Sequence, residues 1–120
     1  MAEIQQDAFL AWFLFKYDGE ITDNLVCFSL DIEGEKVVMF VTVWETMWSL
    51  ASPIMRLDKS SRKSLFEIMT HHAENSPMGL TLFDEMLCIV DCSTNANPAD
   101  TGDWIQSFAE HAADLMKMAR

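Results

Sequence analysis

The alternation of side chains over residues 25–32 constrains the fold more than any other feature of the sequence. Apolar side chains occupy every second position, at Val26, Phe28, Leu30 and Ile32. This period of two is typical of a half-buried β-strand, because successive side chains point to opposite faces of a sheet. The Glu-Gly-Glu sequence at 33–35 predicts a tight turn into a second strand. An antiparallel hairpin is therefore the predicted start of a sheet.

Two further strands are predicted to extend this sheet. Residues 36–44 carry Val and aromatic side chains on both faces, which favours a central strand. Residues 47–54 predict a third strand with Trp48 and Leu50 on one face. Pro53 is expected to mark an edge or the end of that strand, because proline has no backbone N–H to donate.

The second half of the chain predicts another hairpin and a C-terminal helix. Residues 78–83 and 86–92 form the hairpin strands, joined by a turn at Asp84-Glu85. Residues 93–103 are polar, contain Pro98 and Gly102, and predict a loop. The helix follows over residues 104–118. The side chains predicted to face inward are Trp104, Ile105, Phe108, Ala112, Leu115 and Met116.

Two more helices are predicted, before and between the strands. Residues 2–16 are interpreted as a helix ended by Asp18-Gly19, although an apolar run of this length fits a helix or a strand. Its predicted inner stripe is Ile4, Ala8, Ala11, Trp12 and Phe15. Residues 59–74 predict a middle helix with Asp58 as N-cap. Its predicted inner stripe is Leu65, Ile68, Met69, His72 and Ala73.

The fold class that follows is α+β, in one domain over residues 1–120. We expect an antiparallel sheet of about five strands in the order α-β-β-β-α-β-β-α, with the helices packed on the sheet. No linker, repeat or low-complexity tract divides the 120 residues. That length suits one hydrophobic core.

Charge and hydropathy exclude several classes of function. Eight basic residues against 19 acidic ones give a net charge of −11, so nucleic acid and anionic membrane surfaces are not expected partners. The longest apolar run, residues 8–15, is much shorter than the roughly 20 residues of a membrane-spanning helix. It also lacks the basic flank of a signal peptide. With three cysteines in no framework spacing, these features predict a cytoplasmic protein with reduced thiols.

No catalytic, cofactor or metal site is predicted. His71 and His72 are adjacent, so on a helix they point about 100° apart and cannot share a metal ion. Cys88 and Cys92 lie four apart on a predicted strand, about 13 Å from each other, too far for a disulfide. The sequence contains no glycine-rich phosphate-binding loop, no Gly-x-Ser-x-Gly nucleophile motif and no His-Glu-x-x-His zinc motif. The acidic side chains are interpreted as a solvated surface.

Two surface features suggest a partner. Half of the basic charge is concentrated around the start of the middle helix, at Arg56, Lys59, Arg62 and Lys63. This cluster is either a solvated helix face or a contact for an acidic surface. Nine methionines and four tryptophans exceed what a core of this size needs, and adaptable Met side chains recur on binding surfaces. The candidate partner contacts are Trp12, Phe13, Trp44 and Trp48.

The order of elements resembles that of small, acidic, dimeric type III secretion chaperones and of the YbjN-like proteins. The resemblance covers the meander over residues 26–38, Ser52-Pro53-Ile54, the middle helix, the hairpin over residues 80–92 and the closing helix from Trp104. It is a likeness of pattern, and the first helix is shorter than a secretion chaperone would have.

The resemblance implies a homodimer without enzymatic activity that holds an extended or helical segment of an effector-like or regulatory client protein. It also suggests the middle helix and the second hairpin as the dimer interface. Two alternatives remain open: a YbjN-like regulatory domain, and a small ligand-binding domain or enzyme with a non-standard site.

Overall fold

The computed structural model describes residues 4–22, 25–58, 62–75 and 78–119. In these residues the elements follow one another as α1 (Gln6–Tyr17), β1 (Glu20–Thr22), β2 (Leu25–Ile32), β3 (Glu35–Val43), β4 (Trp48–Arg56), α2 (Arg62–Asn75), β5 (Gly79–Phe83), β6 (Met86–Ser93) and α3 (Gly102–Met118). A short 3₁₀ helix, Pro98–Thr101, leads directly into α3. The predicted loop over residues 93–103 therefore contains a helical turn, and α3 begins two residues early.

The six strands form one antiparallel sheet in the order β1-β2-β3-β4-β6-β5. The predicted α+β class is confirmed, with six strands where about five were expected. The additional strand, β1, has only three residues and all of them are exposed. A segment this short, with no buried side chain, shows no alternation of apolar and polar residues in the sequence. Only its pairing with β2 identifies it as a strand.

The hairpin of β2 and β3 follows the predicted alternation. The two strands pair from Leu25 opposite Thr42 to Ile32 opposite Glu35. Helices α1 and α3 cover one face of β2, β3 and β4, and α2 packs against α3. The inward side chains of β3 are Val37, Met39, Val41 and Val43, all buried. The predicted central position of β3 is confirmed, since β2 and β4 flank it.

A helix in the first segment is confirmed, although it begins at Gln6, and residues 2 and 3 of the predicted helix lie outside the described residues. Most of its predicted inner stripe is wrong: Ile4, just before the helix, is buried, but Ala8 and Phe15 are exposed. The helix buries Phe9, Leu10 and Phe13, while Phe15 is 89% exposed. Apolar side chains surround this helix on nearly all sides, so its own sequence does not indicate which side packs. The side that packs is set by contacts of Phe13, whose ring stacks on Phe28 and meets the ring of Trp48 at a tilted angle.

The predicted inner stripe of the middle helix is half right. Ile68 and His72 are buried, whereas Met69 and Ala73 are exposed. The helix contacts α3 along a narrow line, and a narrow contact does not reach the edges of the predicted stripe. Lys59 and the start of the helix that was predicted there lie outside the described residues. The predicted face of α3 is confirmed, with Ile105, Phe108, Ala112 and Leu115 buried.

Pro53 was expected at an edge or at a strand end, and this expectation is wrong. Strand β4 continues to Arg56 and is flanked by β3 and β6. Its pairing with β3 stops at Ala51, however, and its register against β6 shifts between Pro53 and Met55. A β-bulge interrupts the ladder locally, and this is the third way in which a strand can accept proline.

The two long hairpins use tight turns of the same backbone geometry but of different sequence. Both central residues have positive φ, at Glu33 (50°) and Gly34 (86°) in the first turn and at Asp84 (52°) and Glu85 (66°) in the second. Glycine adopts positive φ without a steric cost, whereas other L-residues pay about 1 kcal/mol or more. The second turn therefore carries strain that the first relieves with Gly34.

Glu85→Gly is expected to raise the free energy of unfolding by about 1 kcal/mol, because glycine removes this strain. The ion pair of Glu85 with Arg56, at 3.8 Å, is exposed and adds little. The matched control is Gly34→Ala, where an added Cβ would contact nothing within 4 Å, so only the backbone changes. It should lose about 1 kcal/mol. Urea denaturation measures the free energy of unfolding of both variants. A change of the same sign in the two variants would contradict the strain argument.

Candidate functional site

An apolar groove of about 460 Å³ crosses the face of the sheet opposite to α1 and α3. Its walls come from all strands except β1. The groove is lined by Leu25, Phe40, Thr42, Ala51, Pro53, Thr81, Phe83, Asp84, Met86 and Cys88. In the described part of the chain the helices lie on the other side of the sheet. This face is therefore the one large apolar surface of the sheet without a helix over it.

Strand alternation places these side chains in the groove. On β3, Phe40 and Thr42 alternate with the buried Met39, Val41 and Val43, so they must point away from the helices. The same alternation applies along β6 and β5, where Cys88 and Thr81 are direct partners across the two strands. The sequence shows this second apolar face as Val, Phe and Met at outward positions, and a pattern of that kind usually indicates a strand covered on both faces.

The interrupted pairing of β4 lies inside the groove. Ala51 is the last residue of β4 paired with β3, opposite Phe40. Pro53, two residues later, pairs only with Cys88 of β6 before the register shifts. All four residues line the groove. The bulge thus bends the floor of the groove at its centre, since bulges increase local twist.

The chemistry of the groove suits binding of apolar groups. Asp84 at the rim is its one charged side chain, and Thr42 and Thr81 supply hydroxyl groups. Burial raises the pKa of the Cys88 thiol, so this cysteine stays protonated and is a poor nucleophile. No histidine, lysine or arginine lines the groove. A positioned acid–base pair, which most hydrolytic sites need, is not among the lining residues.

The four candidate partner contacts predicted from sequence differ in burial. Phe13 and Trp48 have no accessible surface and are core residues, so they supply no surface to a partner. Trp12 is partly buried and its ring packs edge-on against Phe13 and Tyr17. Trp44 is 48% exposed. It follows the last residue of β3, and it is not among the residues that line the groove.

Exposed apolar side chains concentrate on α2 and β5. Phe66 and Met69 on α2 are 73% and 51% exposed, and Leu82 and Phe83 on β5 are 63% and 74% exposed. Successive residues of a strand point to opposite faces. Phe83 lines the groove, and Leu82 therefore points to the side of the sheet where α2 lies. Strand β5 is also an outer strand of the sheet, without a partner on its free side among the described residues.

All three histidines meet where α2 packs on α3. His72 is only 5% exposed. Its Nε2 lies 2.6 Å from the carbonyl oxygen of Met78, and its Nδ1 lies 2.8 Å from Nε2 of His111. His71 lies beside them, with its ring centre 6.4 Å from that of His111. We call these three residues the histidine junction. The predicted inner position of His72 is confirmed, whereas His71, which was expected in solvent, is partly buried.

Sequence reasoning missed the junction because His111 is 39 residues away from His72. Nothing in the local pattern of α3 distinguishes His111 from a solvated histidine. Among the described residues no three His, Cys, Asp or Glu side chains have an arrangement that could hold a metal ion. Cys88 and Cys92 both lie on β6, as predicted, with Cys88 buried and Cys92 exposed.

In the described residues, no helix has the length and apolar content needed to cross a membrane. In comparisons with known proteins, no family model matches the chain and no curated protein matches it significantly.

Proposed function

We propose that this domain is a non-enzymatic protein-binding module that holds an extended segment of a partner protein in the groove. The groove is the observation that carries the proposal: an uncovered, mainly apolar face across five strands, about 460 Å³ in volume. An extended segment presents alternate side chains to one side, which suits a surface built from strands. This role corresponds to the chaperone-like function that the order of elements suggests.

The groove replaces edge pairing beside Pro53 as the proposed mode of binding. Strand β4 lies inside the sheet, between β3 and β6, and pairs with β6 at Pro53, although its pairing with β3 ends at Ala51. Trp44 takes the place of the two buried candidates as the aromatic contact, since it is exposed at the end of β3. Burial of partner side chains against Phe40, Phe83 and Trp44 would supply most of the binding free energy, as aromatic anchors do at other interfaces.

The acidic charge of the domain favours a partner with basic residues. The cytoplasmic setting is proposed from the sequence features described above. The chain carries a net charge of −11, and Asp84 stands at the rim of the groove. Opposite charge speeds the encounter of two proteins more than it tightens the final complex. A client segment with basic residues flanking apolar ones therefore fits this site best.

We propose further that the domain is a homodimer with α2 and β5 at the interface. Phe66, Met69 and Leu82 are large, apolar and mostly exposed, and they lie on two consecutive elements. Half of the basic residues of the chain occur just before and at the start of α2. They lower the negative charge where two acidic copies would meet. A two-fold interface is the commonest way to bury such a surface.

A second candidate function is the binding of a small apolar molecule. The volume of the groove falls within the range of about 300–1,000 Å³ that is typical of ligand pockets, and its lining is apolar apart from Asp84 and two threonines. A peptide partner is favoured because the groove is open along the sheet. A small ligand is better held by an enclosed cavity.

Selection from a library of displayed extended peptides tests the protein-binding proposal directly. The recovered peptides should carry apolar residues at alternate positions and should compete with one another for one site. Phe83→Ala should weaken their binding about tenfold, which corresponds to about 1.4 kcal/mol. The thermal midpoint should hardly change, because this side chain is mostly exposed.

Leu82→Ala is the matched control, because it shortens the neighbouring side chain on the opposite face of β5. It should leave peptide binding in the groove unchanged. Equal losses in the two variants would place the binding site elsewhere. Recovery of no peptide, together with groove-dependent binding of an apolar fluorescent probe, would favour the small-ligand alternative. Affinity capture from the native cell then identifies the partner.

A further inference from the structure

The hydrogen bonds of the histidine junction limit how many protons it can hold. A carbonyl oxygen only accepts, so His72 must carry a hydrogen on Nε2 to bond to Met78. When His72 is neutral, its Nδ1 accepts and Nε2 of His111 donates. When His72 is protonated, its Nδ1 donates and Nε2 of His111 must accept. With both rings protonated, two N–H groups would face each other at 2.8 Å.

We propose that the histidine junction is a pH-sensitive switch that holds α2 against α3 at neutral pH and releases it when both His72 and His111 become protonated. The pair accommodates one added proton, because one ring can still accept the bond. A second proton replaces that bond by repulsion between two cations, of which the one on His72 is buried. The switch requires neither a bound partner nor a dimer.

The surroundings of His111 oppose its protonation. Desolvation by burial lowers the pKa of His111, and the charges of His72 and His71 lower it further. Asp114, on the same helix, acts in the opposite direction but is the smallest of these influences. Among the described residues, the titratable groups that act on His111 are His71 and His72 on α2 and Asp114 on α3. The single carboxylate of Asp114 does not offset the effect of burial and of the two neighbouring histidines on the pKa of His111.

The direction of the pH dependence follows from this lowered pKa. The unfolded chain binds the proton more tightly than the folded chain, because an exposed histidine has a pKa near 6.5. The contribution of His111 to stability is therefore complete above about pH 6.5. It is lost progressively as the pH falls below that value toward the pKa in the folded protein.

Release of α2 is the expected local outcome because few contacts hold this helix. It packs mainly on α3, and its buried side chains in the described structure are Ile68 and His72. The sheet with α1 and α3 contains nearly all of the remaining core. Local opening occurs first in elements with few buried contacts. Acidification should therefore open α2 while the sheet stays folded.

Hydrogen exchange measured by mass spectrometry tests the switch at several pH values between about 8 and about 5. After correction for intrinsic exchange rates, peptides from α2 should exchange about tenfold faster at the lowest pH than at the highest. The reason is that a proton bound more tightly by the open form changes the opening equilibrium by about a factor of ten for each unit of pKa difference. Peptides from β2 and β3 should change little. Loss of protection at the same pH in both regions would show general acid unfolding and overturn the proposal.

Two variants isolate the pair. His111→Gln keeps a side chain that can donate and accept but cannot titrate, so α2 exchange should become independent of pH. His71→Gln removes the neighbouring ring and leaves the hydrogen bonds of His72 to His111 and to Met78 intact, so it should keep the response. A pH response that persists in His111→Gln would overturn the switch.

A measurement on the unmodified protein tests the switch even if a variant fails to fold. In an NMR titration the ring of His111 should take up its proton clearly below pH 6.5, the ordinary histidine value. Titration of His111 at or above the ordinary value would contradict the switch.

Discussion

Trp48→Ala is expected to lower the free energy of unfolding by about 3–5 kcal/mol, the usual loss for a fully buried aromatic side chain. Trp48 has no accessible surface. Its ring contacts the rings of Phe9, Phe13 and Trp104, so it joins α1, β4 and α3. Its Nε1 also donates to the carbonyl oxygen of Asn95 at 3.0 Å. Alanine would leave a cavity and remove this hydrogen bond.

A domain of this size is stable by only about 5–15 kcal/mol, so this variant should be close to unfolding at room temperature. Urea denaturation followed by far-ultraviolet circular dichroism measures the loss. Trp44→Ala is the matched control, because this ring is about half exposed at the start of the β3–β4 turn. It should change stability by about 0.5 kcal/mol or less. A loss below about 1 kcal/mol for Trp48→Ala would contradict its place at the centre of the core.

Phe66→Glu is expected to convert the proposed homodimer to a monomer. The side chain of Phe66 is 73% exposed on α2, so glutamate should cost the isolated subunit little. Burying an unpaired carboxylate at an apolar interface costs several kcal/mol, and each 1.4 kcal/mol weakens association tenfold. The added charge also increases repulsion between two copies that each carry −11. Light scattering at micromolar concentration should show the mass fall by half.

Phe15→Glu makes the same chemical change on α1, where Phe15 is 89% exposed. This control should leave the dimer intact, because α1 lies outside the proposed interface. A monomer mass for the unmodified protein at that concentration would refute the dimer. Dissociation by Phe15→Glu but not by Phe66→Glu would move the interface to α1.

The proposals are separable because they depend on different surfaces. Peptide binding is assigned to the groove and tested at Phe83, and association is assigned to α2 and the opposite side of β5. The histidine junction is tested by local opening of α2. Loss of any one of the three leaves the others standing. All three concern function, whereas Trp48→Ala concerns only the core.

The sequence by itself determined the elements whose buried face repeats with a clear period. Residues 25–32 alternate and form β2 with those same bounds. The C-terminal helix concentrates its apolar residues on one side, and Ile105, Phe108 and Leu115 are buried as predicted. In both cases one face packs in the core and the other lies outside it, so the period of the sequence is enough to identify the buried face.

The sequence could not indicate features that depend on partners distant along the chain. Helix α1 is apolar almost all round, and only contact with Trp48 and Phe28 decides that Phe13 is buried. Strand β1 is defined by its pairing with β2. The same limit explains why Phe13 and Trp48 were predicted as partner contacts, since apolar residues of the core and of a binding surface look alike in sequence.

The groove and the histidine junction were decided by tertiary structure alone. An apolar outward face on β3 and β6 predicts a covered sheet, and only the placement of all three helices on the opposite side leaves that face bare. Likewise His72 and His111 lie 2.8 Å apart across two helices and 39 residues. Local sequence determines which face of an element is apolar, and packing between distant elements determines what covers that face.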